Sequence, residues 1–286
     1  TAWKGALLFE LYASTRAYLI RHTDDIAPSD AELRSRLRPM ILQARGVNYD
    51  VAVLDRFLDS MPARYLLATP PQDIATHVRL TQTQPDTPLV LYTEQDATAN
   101  VTNVTICVEE RRGVFSMIAG ALSRNDFNIL GAQIYTSKLG LAIDTLQVER
   151  LDHTSITRPS LWQRVEEDLR AALAGERQFD AAETSRRRPV QARKFQVFVQ
   201  QPHVVIDNSS SDSHTIIEIK AQDSLGLLYK LTRLLYDQGL DIALAKISTE
   251  ANRVIDVFYV TDAKGQKILD ETAKTGIQQH LLAALG

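Results

Sequence analysis

Two similar loops carry the residues whose types and spacing suit ligand binding. The first reads Glu-Arg-Arg-Gly-Val-Phe over Glu110–Phe115, and the second reads Asp-Ser-Leu-Gly-Leu-Leu over Asp223–Leu228. Each loop is predicted to turn a strand into a helix. A glycine at that point lets backbone amides approach a ligand, and the N-terminus of a helix favours a carboxylate. The loops are therefore candidate sites for a small ligand that has a carboxylate group.

A polar residue stands at the start of the next strand of each copy, Asn128 in the first and Asp241 in the second. We expect each to lie next to that loop, where its amide or carboxylate can hold the amino or amide group of a small molecule. A plainer alternative stays open, in which the glycines only permit the turn and Asn128 and Asp241 cap it. The candidate ligand-binding residues are Glu110, Arg111, Arg112, Gly113, Val114, Phe115, Asn128, Ile129, Asp223, Ser224, Leu225, Gly226, Leu227, Leu228, Asp241 and Ile242.

No pattern in the sequence indicates catalysis or metal binding. The histidines are scattered, without the close His/Glu or Cys/His spacing of a metal site, and there is no nucleophile elbow, Walker A loop or dinucleotide fingerprint. Asp144 and Asp256 follow apolar runs at matching places. We interpret them as repeated turn or edge carboxylates, because a catalytic pair would have to span two domains. The sequence thus predicts neither catalytic residues nor a metal or cofactor in this chain.

Composition sets the broad class. The 286 residues and 44% hydrophobic content predict two or three domains with ordinary cores, and the formal net charge of −3 does not suggest a nucleic-acid or membrane surface. The single cysteine, Cys107, allows no disulfide within the chain, which fits a reducing cytoplasm. No apolar run is long enough to span a membrane. Because the chain enters a predicted helix at Thr1, we expect it to be part of a longer polypeptide.

The elements that must position the loops follow from periodicity. Residues 1–83 read as helical: Ser29 and Glu32 form a capping box, Pro39 should kink or end the helix that follows, and Pro70-Pro71 should open a later one. Residues 84–88 then form a linker to a strand-rich region.

The strand-rich region is a duplication. The stretches beginning at Thr102 and Thr215 align without a gap as far as Thr136 and Thr249, and each predicts a strand, a helix and two or more further elements. In the first copy, Lys194–Val199 is predicted to be the fourth strand of a β-α-β-β-α-β unit. No strand follows the second copy, and we hypothesise that Val204–Ile206, just before it, fills that sheet edge.

Both copies resemble the ACT domain, a ferredoxin-like regulatory unit. The resemblance rests on the glycine loops, on Phe127–Ile129 and Ala132–Thr136 in the first copy, and on the closer matches Gly239–Ile242 and Ala245–Thr249 in the second. ACT loops typically have a proline before the glycine. Here Arg112 and Leu225 stand in its place, which leaves open which copy binds a ligand.

A narrower resemblance covers nearly the whole chain. Phe57–Leu66, with its Met-Pro-x-Arg-Tyr stretch, Val205–Asn208 with Ser211, and Trp3–Tyr12 are similar to the bifunctional PII-protein uridylyltransferase/uridylyl-removing enzymes. The resemblance implies the C-terminal region of such an enzyme. Its fold class would be α+β, with an all-helical segment over residues 1–83, the end of the hydrolase region, followed by ferredoxin-like ACT domains over residues 89–200 and 203–286.

The same resemblance implies a function. Such an enzyme transfers UMP to the PII signalling protein and removes it again, and its ACT pair is taken to bind L-glutamine and switch between these activities. The catalytic domains, with Mg²⁺ or Mn²⁺, would lie upstream, so this cytoplasmic segment would have no cofactor and no catalysis of its own. No nucleic-acid or membrane partner is expected, and a homo-oligomer stays open. The alternative is an ACT-paired module for dimerisation or PII docking that binds no small ligand.

Overall fold

The structure is a computed structural model that divides into two compact units. One contains Thr1–Val90 and Tyr135–Leu141, and the other contains Leu91–Ile134 and Ala142–Gly286. The residues described are 29–44, 50–83, 87–96, 101–150, 159–180, 201–222, 224, 226–250 and 253–285. The predicted helix that begins near Thr1 lies outside them. The proposed boundaries at residues 83, 89, 200 and 203 remain predictions.

The first unit is helical over its described residues before β1. Its helices are α1 (Asp30–Leu42), α2 (Val51–Ser60), α3 (Ala63–Ala68) and α4 (Pro71–Thr83). The capping box is confirmed, because Ser29 accepts a hydrogen bond from the Glu32 amide and the Glu32 carboxylate accepts one from the Ser29 amide. Pro39 does not end α1, which continues to Leu42. The short helix α3 begins directly after Pro62.

Tyr65, from the Met-Pro-x-Arg-Tyr stretch, lies at the centre of this unit. Its side chain is fully buried, and its hydroxyl lies 2.7 Å from Nδ1 of His77, which is also buried. Burial lowers the pKa of His77 from 6.5 to about 4. The ring of Tyr135 meets Tyr65 edge-on at 5.1 Å, and the Lys138 amide donates to the Ser60 carbonyl at 2.8 Å. The turn between two strands of the first copy is therefore anchored in the helical unit.

The two copies have matching element orders. The first comprises β1 (Leu89–Asp96), β2 (Val101–Glu109), α5 (Val114–Arg124), β3 (Phe127–Thr136), β4 (Leu141–Arg150) and α6 (Pro159–Leu173). The second comprises β5 (His203–Asp207), β6 (Thr215–Gln222), α7 (Leu227–Asp237), β7 (Asp241–Glu250), β8 (Arg253–Thr261) and α8 (Glu271–Leu285). Each forms a four-stranded sheet, in the orders β1-β2-β4-β3 and β5-β6-β8-β7.

In both sheets the strand that completes the edge comes before its copy. The hypothesis for the second copy is confirmed, because Val204 and Ile206 pair with Ile219 and Ile217 of β6 in an antiparallel register. In the first sheet β1 is the edge strand beside β2, and the strand predicted at Lys194–Val199 stays a prediction. A strand has two edges to pair, and β2 already lies between β1 and β4. Lys194–Val199 itself lies outside the described residues.

Alternation along β8 defines the two faces of the second sheet. Val254, Asp256, Phe258 and Val260 are buried, whereas Ile255 is 41% exposed. The buried row lies under helices, since α7 packs on β7 and α8 packs on β5. The other face carries the exposed side chains of the sheet.

Asn208, from the Val-Ile-Asp-Asn stretch, ties together the ends of the second copy. Its side-chain oxygen accepts a hydrogen bond from Thr215 at 2.6 Å, and its amide nitrogen donates to the Ile268 carbonyl at 2.8 Å. The Ile268 amide in turn donates to the Thr215 hydroxyl. Asn208 thus has a structural role, as does Tyr65 in the first unit.

Candidate functional site

The two loop glycines have the backbone conformation that the loops require. Gly113 has φ 79° and Gly226 has φ 75°, and each directly precedes a helix, α5 or α7. A side chain is strained in this left-handed region, so glycine is the residue suited to it. The predicted turn from strand to helix is therefore confirmed in both copies.

The copies meet through α5 and α7, which pack against each other. Gly120 of α5 permits the close approach: a Cβ there would lie 2.4 Å from the Phe179 ring and 3.0 Å from the Tyr229 ring. At the sheet edges, a Cβ on Gly131 of β3 would lie 3.5 Å from the Ile247 carbonyl oxygen of β7. The interface thus joins the helices and brings two strand edges together.

Two clefts lie at this interface, one at each loop. We call the first the first-loop cleft. Its residues from the first copy are Glu110, Arg111, Gly113, Val114, Phe115, Ser116 and Ile134, and those from the second are Thr232, Tyr236, Leu240, Asp241 and Ile242. Its volume is about 340 Å³ including the open mouth. The N-terminal end of α5 therefore faces side chains of the other copy.

The second-loop cleft is its counterpart, with a volume of about 320 Å³ on the same measure. It is lined by Ser123, Asn128 and Ile129 from the first copy and by Ser224, Gly226, Leu227, Leu228, Ile247, Val254 and Asp256 from the second. Ser123 and Asp256 are buried, at 4% and 1% exposure. Four polar residues, Ser123, Asn128, Ser224 and Asp256, thus line this cleft together with apolar ones.

The sequence paired the strand residues with the wrong loops. We expected Asn128 and Asp241 to stand by the loops of their own copies, but Asn128 lines the cleft of the Gly226 loop and Asp241 lines that of the Gly113 loop. The exchange follows from packing, because β3 and β7 are the edges at which the copies meet. Each candidate site is therefore built jointly by both copies.

Arg111 has a structural partner in the first copy. Its guanidinium donates to the carbonyl of Leu173, the last residue of α6, at 2.7 Å. Arg112 lies 5.7 Å from the centre of the Tyr236 ring, and its guanidinium is not among the groups that line the cleft. The two guanidinium groups of this loop thus contact other elements, Arg111 at the end of α6 and Arg112 at Tyr236 of α7.

Asp144 and Asp256 are not turn or edge carboxylates, as the sequence suggested. Both are buried inside central strands, β4 and β8, and Asp256 opens onto the second-loop cleft. Burial raises the pKa of Asp144 well above its usual value, and the charge of Glu110 raises it further. Burial also raises the pKa of the Cys107 thiol to about 12, with Asp144 adding to the effect. Cys107 itself is fully buried.

The predicted loop residues that the structure describes thus divide between two clefts, with Arg112 stacked outside them. Asp223 and Leu225 lie outside the described residues. The sequence missed Ser123, Tyr236 and Asp256. The gapless alignment does set Ser123 against Tyr236, in the last turn of each first helix. That signal has meaning only once the helices are known to cross the interface.

The described residues include no cluster of three or more His, Cys, Asp or Glu side chains able to hold a metal ion. Across the same described ranges, the helices are too short or too polar to cross a membrane.

The chain has relatives along almost its full length. It is 31% identical to the bifunctional uridylyltransferase/uridylyl-removing enzyme of Rhodospirillum rubrum, 31% identical to that of Azospirillum brasilense and 30% identical to that of Gluconobacter oxydans. Each match covers 99% of this chain and 30% of the relative. The chain therefore spans about a third of the length of these relatives.

The second copy also matches a family model. Residues 203–285 fit the model of the ACR9-like, ACT-like domain. Among solved structures, aspartate kinase from Synechocystis is similar at a TM-score of 0.37 and 15% identity, over 65% of this chain and 27% of that chain. A likeness at that level indicates nothing further.

Proposed function

We propose that the chain is the C-terminal, glutamine-sensing part of a bifunctional uridylyltransferase/uridylyl-removing enzyme, the class of protein to which it is similar over 99% of its length. The larger protein attaches UMP to the PII signalling protein and removes it, with Mg²⁺ or Mn²⁺ in catalytic domains outside this chain. L-Glutamine binds between the two ACT-like copies and sets the balance between the two activities. PII is the protein partner, and the cytoplasm is the compartment.

One observation carries this proposal: both clefts are lined by residues of both copies. A ligand that touches a loop of one copy and a strand of the other binds best to one relative arrangement of the copies. Differential affinity for two arrangements is what an allosteric switch requires. A pocket enclosed in a single copy would not give this coupling so directly.

The chemistry of the clefts suits an amino acid with an amide side chain. First-turn amides of a helix have no partner within the helix, and they favour a carboxylate. Asn128 offers an amide to the second-loop cleft, and Asp256 offers a carboxyl group, the complement of an amino group. Leu227, Leu228 and Ile247 contribute apolar walls for the methylene groups.

A second function is favoured by the face of the second sheet opposite α7 and α8. Val205 and Ile255 are 38% and 41% exposed there. Exposed apolar side chains on a sheet face are typical of surfaces that bind another protein. On this alternative the pair serves dimerisation or PII docking and binds no small ligand.

Ligand-dependent thermal stability separates the two functions. A ligand at a hundred times its Kd stabilises the folded state by about 2.7 kcal/mol. We expect millimolar L-glutamine to raise the unfolding temperature of the purified chain, and L-glutamate, which replaces the neutral amide with a charge, to raise it much less. Asn128→Ala should reduce the shift, whereas Asn208→Ala serves as a control that perturbs the fold away from the clefts. The absence of any shift with glutamine would leave the interaction module as the better account.

A further inference from the structure

The two clefts differ at one position in the helix that faces each loop. Tyr236, in the last turn of α7, lines the first-loop cleft. Ser123, at the aligned position in α5, lines the second-loop cleft. The first loop therefore faces a bulky aromatic side chain, which we call the cover, whereas the second loop faces a small hydroxyl side chain.

The Tyr236 ring lies directly on the first loop. A Cβ built on Gly113 would lie 2.7 Å from Cδ2 and 2.8 Å from Cε2 of that ring. The ring therefore occupies the space on the open side of the glycine. That side is the route by which a ligand would reach the backbone of the loop.

Two arginines hold the ring in this position. The guanidinium carbons of Arg112 and Arg233 lie 5.7 Å and 5.4 Å from the ring centre, one from each copy. Arg233 is itself fixed by an ion pair with Asp237 at 3.1 Å. The cover is thus an ordered contact that links the first loop to α7.

We propose that Tyr236 closes the first-loop cleft, so that the second-loop cleft is the one amino-acid site of the pair. This inference rests on the proposed function and deepens it by assigning the site. The clefts have similar volumes, so the difference lies in the cover over the loop and in polarity. The second-loop cleft combines Ser123 with the neutral amide of Asn128, whereas the first has Tyr236 with the carboxylate of Asp241. The ligand class is therefore an α-amino acid with a neutral amide side chain.

Calorimetric titration of the full chain with L-glutamine tests the assignment by stoichiometry. The unmodified chain should bind one molecule per chain, and Tyr236→Ser should bind two, because the cover is removed. Tyr236→Phe keeps the ring and should still bind one. Ser123→Tyr places a ring at the second loop and should weaken binding by roughly tenfold or more.

The outcomes separate this inference from the proposed function. If the unmodified chain and folded Tyr236→Ser each bind one molecule, closure by Tyr236 is overturned and glutamine sensing is left intact. The same holds if the unmodified chain binds two molecules. No binding to the unmodified chain but one site in Tyr236→Ser supports closure of the first-loop cleft, and it overturns both glutamine sensing and the assignment of the second-loop cleft. No binding to either overturns both.

A second measurement needs no variant. The amide NMR signal of Gly226 should shift when L-glutamine is added to the unmodified chain, and that of Gly113 should not. A shift at Gly113 alone would overturn the assignment even if every variant failed to fold.

Discussion

A buried histidine should make the stability of the helical unit depend on pH. His77 is 2% exposed, its Nδ1 lies 2.7 Å from the Tyr65 hydroxyl oxygen, and burial lowers its pKa from 6.5 to about 4. The folded state therefore keeps the imidazole neutral at pH values at which the unfolded chain has bound a proton. Because the pKa is lower in the folded state, this contribution to stability is present at neutral pH. It is lost as the pH falls from 6.5 towards 4.

The magnitude follows from the two pKa values. Linkage between proton binding and folding gives a loss of about 2 kcal/mol in the free energy of unfolding between pH 7 and pH 5. Other groups titrate in the same range, so the quantity to measure is the difference between the unmodified chain and His77→Asn. The asparagine does not titrate, and its amide can still hydrogen-bond to Tyr65.

Native-state hydrogen exchange is the suitable assay, because it reports the opening free energy of the helical unit separately from the sheets. The advantage of the unmodified chain over His77→Asn should fall by about 2 kcal/mol between pH 7 and pH 5. Replacing the exposed His280 of α8 by Asn should leave these helical amides unaffected at both pH values. A wild-type advantage that stays constant over this range would refute the burial of a neutral imidazole.

Three further changes test the second unit. Gly120→Ala should destabilise it by about 1–3 kcal/mol in urea unfolding, because the new Cβ meets the Phe179 ring at 2.4 Å. Its matched control is Gly276→Ala in α8, where the new Cβ has nothing within 4 Å, and this change should stabilise the fold by about 0.5–1 kcal/mol. If the two substitutions change the free energy of unfolding equally, the close packing of α5 is contradicted. Asp144→Asn should stabilise the fold more at pH 8 than at pH 5. Because the pKa of Asp144 is raised, the folded chain holds a proton that the unfolded chain releases, and the free-energy cost of this difference grows as the pH rises. A gain in thermal unfolding that does not depend on pH would contradict this reasoning. Asn208→Ala should cost about 1–3 kcal/mol through the lost bonds to Thr215 and Ile268, whereas no change in the melting temperature would remove the anchoring role.

Much of the fold could be predicted from local pattern. The alternation of Val104, Ile106 and Val108 predicts a strand, although Thr105 and Cys107 on its other face are buried as well. The glycines that precede α5 and α7 indicate turns with positive φ. The gapless repeat extends each such prediction from one copy to the other. Pattern also found the edge strand at Val204–Ile206, an apolar stretch that lies just before the second copy in the sequence.

What the sequence could not give depends on contacts distant in the chain. The position of Leu89–Asp96 at the edge of the first sheet, beside β2, depends on which strands meet, and local alternation does not indicate that. Local pattern does not show how the helical region divides at Pro62, because a proline can end one helix and also directly precede the next, as it does before α3. Asp144 was misread for a similar reason: a buried carboxylate within an apolar strand has no local signal, as the same letter also marks turns.

The candidate site was predicted residue by residue but assembled incorrectly. Gly113, Gly226, Asn128 and Asp241 all lie in clefts, yet each strand residue serves the loop of the other copy. Periodicity describes each copy alone and cannot say which edges meet. The role of Tyr236 was hidden for the same reason, since it depends on the crossing of α5 and α7.

The central claim is that a glutamine molecule bridges the two copies at the second loop. Hydrogen exchange of the unmodified chain with and without saturating L-glutamine tests it most directly. The account predicts slower exchange on both sides of that cleft, at Asn128 and Ile129 of the first copy and at Gly226–Leu228 of the second. Exchange that is unchanged at all of these amides, or slowed in one copy alone, would contradict it.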